Sequence, residues 1–205
     1  MSPLRSASVL LFDLGGVLID NVTFEALPAL LPAPMARTAM QKRWLNSPAV
    51  QRFERGEIEP GEFAERFVNE WALGISPAEF LEAFAAWPRG MYPGAAETLG
   101  RLRRRHTIAL LSNCNVVHWA RMQPVLAHAD HAFSSHECGL VKPDPAIFHH
   151  VVATLGCAAQ DVTFFDDSAA NVSAARELGM QARHTVGFDA LKQAVFELGL
   201  RDTAR

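Results

Sequence analysis

From Pro93 onward, short apolar strands alternate with amphipathic helices, a pattern that restricts the chain to a parallel sheet assembled from β-α-β units. The periodicity predicts a helix over 93–105, a strand over Thr107–Leu111, a helix near 116–126 and a short strand over Ala132–Ser134. It continues with a helix over Pro145–Leu155, a strand over Val162–Phe165 and a helix over Ala170–Leu178 stopped by Gly179. A strand over Gln181–His184 and a last helix over 189–198 complete it. One further strand lies far upstream, where Val9, Leu10, Leu11 and Phe12 form an unbroken apolar run of the kind buried on both faces of such a sheet.

Between that strand and Pro93 the period is helical. Phe63, Phe67 and Trp71 recur at helical spacing, as do Phe80, Phe84 and Trp87. Ser76-Pro77-Ala78-Glu79 reads as a capping box with proline at the first helical position, and prolines 28, 32, 34, 48 and 60 cut the remainder into short helices. The aromatic stripes predict the core of a small helical bundle. The fold class is therefore α/β, a Rossmann-like parallel sheet core formed by 1–19 and 93–205, with a helical unit, 20–92, inserted into it.

Composition narrows the function. The net charge is −3 over 205 residues, with no basic footprint for nucleic acid; the cluster Arg101, Arg103, Arg104, Arg105 and His106 reads as a solvated helix end. Cys114, Cys138 and Cys157 are odd in number and widely spaced, so neither a disulfide framework nor a thiolate metal site is expected, and a reducing cytoplasm fits. The N-terminus has a single Arg5 and an apolar run broken by Asp13, too short for a secretory leader or a membrane span. His149 and His150 read as surface or partly buried side chains.

Polar groups follow several of the predicted strands. Asp13 ends the first and is followed by Gly15 and Gly16; Ser112-Asn113 ends Ile108–Leu111; Asp166-Asp167 ends Val162–Phe165; Lys142 stands before Pro143. If the strands are parallel neighbours, these groups meet in one crevice at the carboxyl edge of the sheet. Two adjacent carboxylates at a buried strand end repel each other unless a cation or a strong donor compensates. Asp13 and one of the Asp166-Asp167 pair, with the Gly15 carbonyl, supply hard oxygen ligands suited to Mg²⁺. Asp13 could then attack phosphorus, with Lys142 countering the charge. Ser112, with neighbouring main-chain N–H groups such as that of Asn113, would bind phosphoryl oxygens. Ser112 and Asn113 could equally cap the following helix.

These four motifs, Asp13 within Phe-Asp-Leu-Gly-Gly-Val-Leu, Ser112-Asn113, Lys142-Pro143 and Asp166-Asp167-Ser168-Ala169-Ala170-Asn171, resemble the haloacid dehalogenase superfamily. The helical insertion looks like that family's small cap. Within the family, Phe53-Glu54-Arg55-Gly56-Glu57-Ile58 and the Asp-Leu-Gly-x-Val start are most similar to bacterial phosphatases of α-glucose-1-phosphate. The resemblance implies Asp13 as nucleophile, Ser112 as phosphate binder and Lys142 as the balancing charge. It also implies Asp167 and the Gly15 carbonyl as Mg²⁺ ligands, Asp166 reaching the ion only indirectly, and Asn171 supporting that loop.

The resemblance departs at one position: most phosphatases of the family carry a general acid two residues after the nucleophile, where this chain has Gly15. Asp20 and Glu54 are candidate replacements, and Arg52, Arg55, Trp87 and Tyr92 are candidates for facing the substrate. The expected activity is Mg²⁺-dependent hydrolysis of a small phosphorylated metabolite, with neither nucleic acid nor membrane as partner and the choice of monomer or homodimer open. A carbon–halogen hydrolase and a non-catalytic binding protein are the alternatives.

Overall fold

In the computed structural model, which describes residues 9–200, the chain begins with β1 (Val9–Phe12) and β2 (Ile19–Asn21). The helices α1 (Thr23–Ala26), α2 (Arg37–Leu45), α3 (Pro48–Glu54), α4 (Pro60–Trp71) and α5 (Pro77–Ala85) follow, with a 3-10 turn at Leu27–Leu30. Next come β3 (Pro88–Met91), α6 (Ala95–Leu102), β4 (Thr107–Ser112), α7 (Val116–Trp119), α8 (Gln123–Leu126), β5 (His131–Ser134) and α9 (Ser135–Cys138). The chain closes with α10 (Pro145–Leu155), β6 (Val162–Asp166), α11 (Ala169–Glu177), β7 (Gln181–His184) and α12 (Phe188–Glu197). Arg5, and with it part of the N-terminal reading, lies outside the described residues.

Five strands form one parallel sheet in the order β5-β4-β1-β6-β7. Strand alternation splits its side chains between two covering layers. Leu10, Phe12, Ile108 and Leu110 pack with Ala95, Leu99 and Leu102 of α6 and with Leu191, Ala194 and Val195 of α12. Val9, Leu11, Ala109 and Leu111 pack on the other face with Ile147, Phe148 and Val151 of α10 and Val172 and Ala175 of α11. β1 lies between β4 and β6, and the chain leaves β4 toward one edge of the sheet and β6 toward the other. The crevice beside β1 is thus where strand order reverses, the usual ligand position in sheets of this class.

The inserted helices have a separate core. Phe53, Phe63, Phe67, Trp71, Phe80, Phe84 and Trp87 are all buried there, and Phe67 stacks on Trp71 and Phe80 with ring centres 5.0 and 4.7 Å apart. The expected capping box is present: Ser76 Oγ accepts the Glu79 N–H and Glu79 accepts the Ser76 N–H. The chain enters and leaves this unit through an antiparallel ribbon of β2 with β3, which Pro88-Arg89-Gly90-Met91 does not advertise in sequence. The helix expected near 116–126 is two short helices. Pro124 opens α8, and having no N–H it cannot extend α7. Among the described residues, no helix is long and apolar enough to cross a membrane, and all three cysteines are free.

His118 joins the two cores. Its ring stacks on Phe84 of α5 with centres 4.1 Å apart, and Nε2 lies 2.8 Å from the Phe84 carbonyl. The carbonyl can only accept and the Asn115 amide near Nδ1 can only donate, so the ring is the neutral Nε2–H tautomer. Burial lowers its pKa from 6.5 to about 4. Between these values the unfolded chain holds the extra proton and the folded chain does not, so stability falls as pH falls from 6.5 toward 4. Denaturant titrations at pH 7 and pH 5 should show the wild type losing up to about 1.4 kcal/mol per pH unit more than His118→Gln; parallel curves would show that His118 titrates normally.

Candidate active site

Three neighbouring strands deliver the site. Asp13 follows β1, and its N–H donates to the Phe165 carbonyl of β6 at 2.9 Å, which keeps it in register beside Asp166. The Lys142 ammonium donates to Asp13 Oδ1 at 2.8 Å, to the Leu111 carbonyl of β4 at 3.0 Å and to Asp166 Oδ2 at 2.7 Å. An ammonium has three protons, and each has an acceptor here. The side chain is 2% exposed, so this lysine is a fixed internal charge. The Lys142–Pro143 peptide is cis.

Asp166 is fully buried and saturated. Oδ1 accepts from the Ser168 N–H and Asn171 Nδ2, while Oδ2 accepts from Lys142 and, at 3.1 Å, Asn171. Ser168 also caps α11 through the Asn171 N–H. Asp167 is held by its own main-chain N–H and lies against Gly16. Oxygens of Asp13, Asp166 and Asp167 lie within 4.8 Å of one another. Gly16, at φ 75°, backs directly onto Asp167, where a Cβ would overlap Oδ2.

Three carboxylates against one ammonium leave the cluster with surplus negative charge. Burial, opposed by Lys142 and reinforced by Asp166 and Asp167, raises Asp13 to about 7. Burial and Asp166, opposed by Lys142, raise Asp167 to about 6. Burial opposes the charge of Lys142, but Asp13 and Asp166 outweigh it and push its pKa up, so it stays an ammonium. Such a set of hard oxygen donors with unbalanced charge fits a divalent oxophilic cation.

Asn113 is committed to positioning. Its Nδ2 donates to the Lys142 carbonyl and its Oδ1 accepts the Lys142 N–H, both at 2.8 Å, so only its main chain remains for a ligand. Neither it nor Ser112 caps the following helix; Asn115 caps α7 by accepting the His118 N–H. Ser112 is buried at the end of β4, and its hydroxyl makes only a 3.5 Å contact with the Asn113 carbonyl. Ser135, which sequence reasoning missed, holds the next residue: its hydroxyl donates to the Cys114 carbonyl and accepts the Cys114 N–H, both at 2.9 Å. The serine pair after β5 was the available signal. Burial pushes the Cys114 thiol up to about 12, which rules it out as a nucleophile.

Of the other sequence candidates, Tyr92 lies within electrostatic reach of Asp167 and Asp20, and Arg55 within reach of Glu54. Trp87 is buried in the aromatic core against Phe84, and Tyr92 stacks on Phe188. Arg52 pairs with Glu57 and Glu62 on the surface of the helical unit. Asp20 faces Arg89 across the ribbon at 3.7 Å. His149 and His150 are exposed.

The sequence over residues 7–179 matches the haloacid dehalogenase-like hydrolase family. A D-ribitol-5-phosphate phosphatase of Bacteroides thetaiotaomicron is 23% identical over 182 residues, covering 84% of this chain and 88% of that protein. A haloacid dehalogenase-family enzyme of the same organism, solved with magnesium and inorganic phosphate, superposes with a TM-score of 0.71. It is 24% identical over 88% of this chain and 94% of its own. A solved dehalogenase superposes at 0.64, with 21% identity over 87% and 84% of the two chains. The family match spans most of the sequence, and the parallel sheet agrees with it: this chain belongs to the haloacid dehalogenase-like hydrolases.

Proposed function

We propose that the chain is a Mg²⁺-dependent phosphomonoester hydrolase acting on a small phosphorylated metabolite through an aspartyl phosphate on Asp13. The observation that carries this reading is the surplus charge of Asp13, Asp166 and Asp167 around Lys142. A carbon–halogen hydrolase has no evident use for a second and third carboxylate there. A phosphatase needs them to hold a cation. The phosphatase relative points the same way, and its substrate, with the resemblance to sugar phosphatases, favours a sugar or polyol phosphate.

In this reading residues 1–19 and 93–205 form the catalytic core and 20–92 a cap that encloses the leaving group. Asp13 Oδ1 is held by Lys142, which leaves Oδ2 to attack phosphorus in line with the departing oxygen. Lys142 balances the charge of nucleophile and phosphate. Ser112 Oγ and the main chain at Asn113 bind phosphoryl oxygens as charge spreads over them. Asp13, Asp167 and the Gly15 carbonyl would hold Mg²⁺, which neutralises part of the phosphate charge so that an anionic carboxylate can approach. Asp166, its oxygens already occupied, orients Lys142 and the 167–171 loop.

A screen over sugar phosphates, nucleotides and small phosphorylated acids should reveal Mg²⁺-dependent phosphate release that chelation abolishes and added Mg²⁺ restores. Hydrolysis of a 2-haloacid in chelator would replace the reading with the dehalogenase one. Asp13→Asn should have no detectable turnover, and activity surviving in it would sink the mechanism. Asn113→Ala frees the Lys142 main chain and should cost up to about 10²-fold in kcat with little change in thermal midpoint; full activity would show that Lys142 is held without it.

A further inference from the structure

Position 15 has no side chain, and a Cβ there would stand in ordinary contact with Asn21 Nδ2, 3.4 Å away. Asn21 is itself fixed, its Oδ1 accepting from the Thr23 N–H and hydroxyl. Neither residue can protonate a leaving alkoxide or take a proton from water. Asp20 is turned toward Arg89.

A carboxyl of the inserted helices lies within electrostatic reach of the Lys142 ammonium instead. Glu54 is the last residue of α3, which lies against α9 of the core. Just beyond it, Gly56 at φ 70° presses on the His136 carbonyl with no room for a Cβ, so the turn that sets the direction of Glu54 is docked on the core. Glu54 lies within electrostatic reach of Lys142, the same ammonium that holds Asp13, and both carboxylates act on the buried Cys114 thiol. Its own carboxyl makes no hydrogen bond or ion pair among the described residues.

We propose that Glu54 is the general acid and base of this enzyme, supplied by the inserted helices in place of a side chain at position 15; the assignment rests on the phosphatase reading above. As Asp13 Oδ2 bonds to phosphorus, the ester P–O bond breaks and the leaving oxygen takes the Glu54 proton, releasing the alcohol. The Glu54 carboxylate then takes a proton from water, whose oxygen attacks the aspartyl phosphate. The P–O bond to Asp13 breaks, inorganic phosphate leaves, and Asp13 and protonated Glu54 are restored.

The charges facing Glu54 are Lys142 and Arg55, both favouring its ionised form. Cys114 stays a thiol; on α9, His136 is bound to Ser134 Oγ and Glu137 is exposed. Some of Glu54 remains accessible, yet burial of its carboxyl outweighs both cations and raises it to about 7, where it can both give and take a proton near neutral pH.

The test compares wild type, Glu54→Gln and Glu54→Asp on β-glycerophosphate, whose alkoxide must be protonated, and on 4-nitrophenyl phosphate, whose phenolate need not be. Glu54→Gln should lose ~10²–10⁴-fold in kcat/KM on the alkyl ester and far less on the aryl ester. On the aryl ester it should release one nitrophenolate per enzyme in a burst and trap phosphate on Asp13. Glu54→Asp should recover part of the alkyl activity. Equal losses on both esters with no burst, or no loss at all, would overturn the assignment while leaving the phosphatase reading standing. Wild type that hydrolyses neither these esters nor any member of the phosphate screen would overturn both.

Discussion

The Lys142 ammonium is the interaction on which the rest of the site depends. It takes acceptors from the ends of β4, β1 and β6, so it is satisfied only when these strands stand side by side in that order. Leaving any of its protons unpaired in a side chain 2% exposed would cost several kcal/mol. The reverse also holds. Asp13 and Asp166, adjacent and buried, tolerate each other because one cation lies between them. Asn113 and Asn171 add no charge but fix the two ends of this arrangement, the lysine main chain and the far carboxylate. One ammonium cannot neutralise three carboxylates, and in the proposed function a further cation would make up that deficit.

The two cores divide the work. The sheet and its covering helices bury apolar side chains on both faces and so hold the strand ends rigidly. The inserted helices bury their aromatic side chains among themselves. They meet the sheet domain at the β2–β3 ribbon, at the contact of α3 with α9 and at the His118–Phe84 pair, among other contacts. Two of these are sensitive to single atoms. Gly56 has no room for a Cβ, and His118 must stay neutral to keep both ring nitrogens satisfied.

The parallel sheet and most of the charged cluster were legible in sequence because both rest on local rules. An apolar run of four or five residues followed at once by Asp or Ser-Asn announces a buried strand and its ligand-facing end, and β1, β4 and β6 follow that rule. What could not be read depended on partners distant in sequence. Asn113 looked like a substrate residue or a cap, and only the approach of Lys142, 29 positions away, shows that its amide is spent on a main chain. Trp87 carries a polar atom suited to a cleft, yet the aromatic core claims it. The ribbon of β2 with β3 left little trace, since Pro88 and Gly90 are poor strand formers and pairing alone sustains it.

Gly15 gains its meaning from the same long-range packing. As a sequence feature it is a missing acid; in the structure its open side faces Asn21 of the ribbon at which the inserted helices begin. In the proposed mechanism the proton-transfer group stands on the inserted helices. When the acid stands on the strand that bears the nucleophile, it is ready whether or not substrate is enclosed. When it stands on α3, it meets the leaving oxygen in the docked arrangement of α3 on α9. Binding energy from the part of the substrate that favours docking then appears in the chemical step as well as in affinity, and a substrate too small to hold the helices down loses turnover as well as binding.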